Sequence, residues 1–271
     1  MRSFDLIDLG IPLGWRRGGG DWVGVRAALD RRDAIQIIQE AGSTRWQSLL
    51  PADSSIYIGF PDYTATTRET TPEPKARIWI SPIQRRFAPA SALPKVQWHP
   101  RVLWVGIGCQ RGMPESLIEH AIQKTLRSHH LAEAAIAGIA TIDHKADEAG
   151  LVKFCDDRRL PLRFFSAEDL NAVTVPNPSA VAKVGTFSVA EAAAILAART
   201  DQSADPLKDS IRVAKTIVRI EGQPGSVTVA IAQADREYTD DLKLVEDVLS
   251  NLNHDSQTFG KIGRASCRER V

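Results

Sequence analysis

Short apolar runs separated by amphipathic stretches set the rhythm of this chain, and the rhythm sharpens after residue 100. The apolar run 102–105 opens a strand over 102–107, 114–130 place Leu117, Ile118, Ala121, Ile122 and Leu126 on one helical face, and 135–142 read as the next strand. A helix over 147–157, a strand over 160–165 and a short helix opened by the capping pattern Ser166-Ala-Glu-Asp169 follow. Ser188 and Glu191 read as a second capping box, starting a helix over 189–198. This alternation predicts an α/β layered fold with a largely parallel sheet. In such sheets ligands gather outside the carboxyl ends of the strands. The segments 106–112, 143–148 and 165–168 should therefore emerge along one edge.

The first hundred residues read as a smaller α/β module. Gly18-Gly19-Gly20 suggests a loop, 23–29 a short amphipathic helix, and 34–38 and 76–80 strands. Residues 61–74 are loop-like, dense in Thr and Pro, and the proline-bounded stretch near Leu93 and Pro94 reads as the connection onward. The domain reading is then 1–95, 96–200, a linker over 201–261 with one possible strand at 226–232, and a final segment 262–271. That last segment back-translates into a common sequencing-adapter read and is set apart from the fold. Without it the formal charge falls from +1 to −1, because it holds Arg264, Arg268 and Arg270 against Glu269.

Composition narrows the class. With 43% hydrophobic and 25% charged residues the chain can bury real cores. No apolar run reaches the length of a membrane span, and the opening residues carry acids where a signal peptide would be basic. Three cysteines, none spaced C-x-x-C, favour a reducing cytoplasm over disulfides or structural zinc. A near-neutral charge without a basic stripe disfavours nucleic acid. The expectation is a cytoplasmic protein with no membrane, nucleic-acid or metal site.

Two segments carry candidate chemistry. Gly106, Gly108 and Gly112 form G-x-G-x-x-x-G, one residue longer than the dinucleotide fingerprint, and no Lys-Ser/Thr follows as in a Walker loop. Such a turn either receives an anion on its exposed N–H groups or simply packs helix against strand. Thr141-Ile-Asp143-His144-Lys145-Ala-Asp147-Glu148 sets three acids, an imidazole and an amine behind a strand. These either move protons and hold an anion or form a solvated loop whose acids cap the next helix. Cys109 at the glycine turn is either a nucleophile or a small buried thiol. Five of the six tryptophans lie in the first module, where core packing is the default over stacking on a planar ligand.

The ordered motifs Gly106-Ile-Gly-Cys109, Ala140-Thr-Ile-Asp-His-Lys-Ala-Asp-Glu148, Leu162-Arg-Phe-Phe-Ser166, Val175-Pro-Asn-Pro-Ser179 and Val184-Gly-Thr-Phe-Ser-Val-Ala-Glu-Ala192 resemble the C-terminal domain of the CbiG/CobE family of cobalamin biosynthesis. Gln36–Thr44 and Ala76–Ser81 are similar to the central region preceding that domain in CbiG. The resemblance implies a cobalt-precorrin-5A hydrolase, which opens a δ-lactone on the corrinoid ring and releases acetaldehyde. A non-catalytic corrinoid-binding module is the alternative. The resemblance implies catalytic roles for Asp147, Glu148 and Lys145, and substrate binding by Gly106, Gly108, Cys109, Arg111, Gly112, Thr186 and Ser188. The protein itself would bind no cofactor, cobalt being carried by the substrate. Gly225–Tyr238 looks like the joint to a precorrin-3B C17-methyltransferase, implying such a domain in cis. The chain departs from the family in lacking the N-terminal CbiG domain and in having Phe187 where proline is expected.

Overall fold

A computed structural model describes residues 9–11, 13–50, 54–59, 72–88, 91–179, 185–199 and 210–239. Within them lie two five-stranded sheets, one in each half of the chain. The expected final segment 262–271 and the Thr/Pro-rich stretch at 61–71 lie outside the described residues.

The first sheet has the order β1 (Arg16–Gly20), β5 (Lys95–His99), β4 (Ala76–Ile80), β2 (Ile35–Gln39), β3 (Ile56–Ile58). Only β1 runs antiparallel to its neighbour. Helix α1 (Trp22–Asp30), capped by the Asp21 carboxylate accepting the Gly24 N–H at 2.8 Å, buries Val25 and Ala28 in a core with Ile35, Ile37, Ile78, Ile80, Val96 and Trp98. The three glycines expected as a loop are strand β1. A Cβ on Gly18 would lie 2.4 Å from the Gln97 and His99 side chains, and one on Gly20 would lie 2.2 Å from the Lys95 carbonyl oxygen. Gly18 leaves room for the side chains of β5, and Gly20 lets two backbones approach. Strand β5 also moves the first boundary: it belongs to this sheet, so the module runs past residue 95 to His99.

The second sheet has the order β8 (Leu162–Phe165), β7 (Ile136–Ile142), β6 (Leu103–Cys109), β10 (Val227–Gln233), β9 (Ile211–Val218). Strands β6, β7 and β8 are parallel, as the alternation predicts, while β9 and β10 form an antiparallel hairpin on the other side of β6. The linker expected over 201–261 therefore contains two strands of the sheet, and Val213, Val218, Val227, Val229 and Ile231 are core residues. On one face lie α2 (Glu115–Ser128) and α3 (Ala149–Arg158), with Leu117, Ile118, Ile122, Leu126, Leu151 and Phe154 packed on Val105, Ile107 and Ile139. Burying each large side chain of this kind is worth about 1.5–3 kcal/mol. The opposite face holds α4 (Ala167–Asn171) and α5 (Val189–Ala198), whose alanines meet Trp104, Ala137 and Ala140.

The halves join at the amino edge of the second sheet. The Ala132 N–H donates to the Pro82 carbonyl at 2.8 Å, the Gln84 N–H to His130 at 2.7 Å, and the Ser43 N–H to the Glu237 carboxylate at 2.6 Å. Leu131 and Ala132 lie just before β7, so this junction is at the end of the sheet away from the carboxyl edge.

Candidate functional site

The carboxyl ends of β6, β7 and β8 lie side by side, because the three strands are adjacent and parallel. The glycine turn, the 143–148 loop and the start of α4 all leave from that edge, as expected. The β9–β10 turn joins them, since Val227 at the start of β10 pairs with Cys109 at the end of β6. A Cβ on Gly225 would lie 2.6 Å from the Met113 sulfur, so the turn sits tightly against the glycine loop.

Glu148 is the hub of this edge. It is 4% exposed, and its Oε1 accepts the N–H of Gly112 at 2.7 Å and of Met113 at 3.0 Å. Its Oε2 accepts from the Lys145 ammonium at 3.2 Å, and Lys145 is itself 9% exposed. Glu148 is the N-cap residue of α3 by position, yet its side chain makes no cap bond there and crosses to the entry of α2. The anion received by the glycine turn is thus the chain's own carboxylate. Donors on both oxygens fix this buried carboxylate between the two loops. Glu148 and Lys145 hold the two loops together, and the Gly112 N–H is engaged by Glu148. The close approach of α3 supports the same clamp, since a Cβ on Gly150 would lie 2.2 Å from the Met113 carbonyl oxygen.

Outside this clamp stands an exposed ion pair. Arg111 Nη1 donates to both Asp147 oxygens, at 3.0 and 3.2 Å, and Nη2 donates to the His144 carbonyl at 3.1 Å. The two side chains are 66% and 69% exposed. The hydrogen bond and charge of Arg111 lower the Asp147 pKa from its ordinary value, and Asp147 raises that of Arg111. Asp147 is the carboxylate of the pair 147/148 that meets water. Cys109, half-buried at the end of β6, has its thiol pKa raised, first by burial and then by Glu148, against the opposing charge of Lys145. That environment makes it a neutral thiol rather than an activated nucleophile.

The glycines divide by role. A Cβ on Gly106 would lie 1.8 Å from the Ala190 carbonyl oxygen, so glycine here seats α5 on β6. On Gly108 the nearest atoms would be Thr228 Cβ at 3.6 Å and Val189 Cβ at 3.8 Å, ordinary contact. Gly112 has φ +73°, which suits glycine, and no neighbour within 4 Å of a Cβ.

Residues 175–179 and 185–188 border the same edge. Ser188 does not cap α5 through its side chain, contrary to the expected capping box. Its hydroxyl donates instead to Glu191 at 3.2 Å, and Glu191 is fully buried. Glu191 also accepts the Asn177 N–H at 3.3 Å, the Asn177 side-chain amide at 3.1 Å and the Lys215 N–H at 3.0 Å. This second buried carboxylate ties the Pro-Asn-Pro motif and β9 to the start of α5. Thr186 is buried, its Oγ accepting the Ser188 N–H at 3.4 Å. Phe187, between them, is 50% exposed. The Ser166 capping box forms as expected, with both reciprocal bonds to Asp169 present. Sequence reasoning missed Glu191 as an anchor because its donors other than Ser188 lie 14 and 24 residues away. Among the described residues no group of three or more His, Cys, Asp or Glu side chains could hold a metal, and no helix is long and apolar enough to cross a membrane.

A layered α/β unit with motif loops gathered at one sheet edge, preceded by a second α/β unit, defines the class. Two family descriptions match in tandem: Cobalamin biosynthesis central region over residues 4–100 and Cobalamin synthesis G C-terminus over residues 103–232. The chain belongs to the CbiG family. A cobalt-precorrin-5A hydrolase of Priestia megaterium is 26% identical over 214 residues, covering 77% of this chain and 52% of that protein. The cobalt-precorrin-5A hydrolase of Salmonella typhimurium is 29% identical over 141 residues, covering 51% of this chain and 40% of that protein. The chain thus spans about half the length of the curated relatives it matches. Among solved structures, CobE, a protein from the cobalamin biosynthetic pathway, is 30% identical, with a TM-score of 0.40 over 49% of this chain and 89% of CobE.

Proposed function

We propose that this chain is the central and C-terminal part of a cobalt-precorrin-5A hydrolase, acting in cobalamin biosynthesis on a corrinoid lactone. The observation that carries the reading is the pairing of Arg111, two residues after the Gly106–Cys109 motif, with Asp147 of the Ala140–Glu148 motif at the carboxyl edge of β6 and β7, exposed to water and beside the buried Lys145–Glu148 clamp. Relatives named for this hydrolase support it.

Lactone hydrolysis needs a water, a base and a grip on a polyanionic ring. Asp147 takes a proton from water as the oxygen adds to the lactone carbonyl carbon. The acyl C–O bond then breaks, and the departing alkoxide recovers the proton from Asp147. One water is consumed, and the products are a carboxylic acid and an alcohol still joined to the ring through carbon. The alcohol then loses its O–H proton as that C–C bond breaks, the ring carbon keeps the electron pair and takes up a proton, and the two-carbon fragment leaves as acetaldehyde. Arg111 holds an acetate or propionate arm. Gly108, Cys109 and Gly112 form the floor, with Thr186 and Ser188 in the bordering segment. Cobalt enters as part of the substrate.

The test is turnover on the lactone-bearing cobalt corrinoid, with released acetaldehyde measured by coupled NADH oxidation. Asp147→Asn should lower the rate by about 10²–10⁴-fold, the usual worth of general base catalysis. Undiminished turnover in that variant, or none in the parent chain, overturns the proposal.

A further inference from the structure

The Arg111–Asp147 pair raises a question the proposed roles leave open: the group meant to hold the substrate and the group meant to activate water are bound to each other. We infer that a carboxylate arm of the substrate displaces Asp147 from Arg111, so that binding and release of the base are one exchange. This inference rests on the corrinoid reading above and adds a competition within the site.

The argument comes from how differently the two neighbouring acids are held. Glu148 is buried and carries the loop's position through two backbone N–H groups and Lys145. Asp147, one residue earlier, is exposed, and its side chain pairs with the equally exposed Arg111. Opening that pair leaves the clamp untouched, so the loop need not move when the pair breaks. Exposed ion pairs are screened and weak, and an incoming carboxylate offers the guanidinium the same two oxygens that Asp147 does. Arg111 can keep its contact to the His144 carbonyl throughout, because that bond uses Nη2 while Asp147 occupies Nη1.

Freed from Arg111, Asp147 loses the interaction that lowers its pKa and becomes the stronger base. The other charged groups in these loops are Asp143 and His144, exposed and 3.5 Å apart, and the Lys145–Glu148 pair. None of them changes partner in the exchange.

The experiment is a binding titration of the whole chain with cobyrinic acid, a corrinoid bearing free carboxylate arms, followed by quenching of tryptophan fluorescence. Competition makes an unusual demand: removing the proposed base should tighten binding. Asp147→Asn should bind about fivefold more tightly than the parent, the upper end for an exposed pair. Asp143→Asn, which removes an equal charge from the same loop, should gain clearly less. In an Arg111→Ala background the Asp147→Asn gain should vanish, while Arg111→Ala alone weakens binding. Equal gains from Asp143→Asn and Asp147→Asn, or a gain that survives Arg111→Ala, overturn the exchange while leaving a corrinoid site intact. Failure of every form to bind cobyrinic acid overturns the corrinoid reading itself, and the exchange with it.

Discussion

Replacing Gly106 by alanine should damage the second module far more than the same change two residues on. The added methyl would lie 1.8 Å from the Ala190 carbonyl oxygen, 2.8 Å from its carbon and 2.9 Å from the Ala194 nitrogen. All three are main-chain atoms of α5, so no side chain can swing aside. Restoring ordinary contact at 3.4 Å requires α5 to back away by about 1.6 Å, pulling Ala190 and Ala194 off the sheet. Overpacking of a rigid core costs about 1–3 kcal/mol, and a backbone obstacle belongs at the upper end. For a domain of this size that is a drop in Tm on the order of 10 °C. Gly108→Ala meets only Thr228 and Val189 methyl-distance contacts at 3.6 and 3.8 Å and should change Tm by no more than about 2 °C. Thermal unfolding by circular dichroism distinguishes the two. Equal destabilisation by both substitutions would refute the division of the motif into a packing glycine and an open one.

Three further outcomes follow from the same geometry. Glu148→Ala leaves the Lys145 ammonium and two N–H groups without their partner and should cost about 3–5 kcal/mol in urea unfolding, whereas removing Asp147 should leave the midpoint nearly unchanged. His99 has a pKa lowered below 6.5, chiefly by burial, so the unfolded chain binds its proton first; stability should fall as pH drops below about 6.5, and His99→Phe should flatten that slope. Burial pushes the Cys155 thiol up to about 12 and also raises Cys109, so both should alkylate with iodoacetamide at neutral pH more slowly than in the urea-unfolded chain.

What could be read from sequence follows from what is local. The run into Gly106, the amphipathic face of α2 and the Ser166 capping box are encoded within a few residues, and each forms as read. Strand β9 was illegible because Ile211–Val218 alternates only weakly and follows a linker-like stretch; it becomes a strand by pairing with β10. Strand β5 was hidden by Pro94 and Pro100, which look like a connection but bracket a buried strand. The glycine turn had two readings, and both hold in part: Gly106 packs a helix, while the N–H of Gly112 receives an anion from 36 residues away in the same chain. No local pattern distinguishes the buried Glu148 from the exposed Asp147 beside it, because the difference lies in the partner loop.

The central claim is that a corrinoid sits at the carboxyl edge of β6, β7 and β8. Amide chemical-shift mapping of the labelled chain titrated with cobyrinic acid tests it directly. The account predicts shifts concentrated in residues 108–113, 143–148, 165–168 and 185–188, with the Ser43, Gln84 and Ala132 amides at the far junction unmoved. Shifts gathered at that junction or in the first sheet, with the edge loops silent, would contradict it.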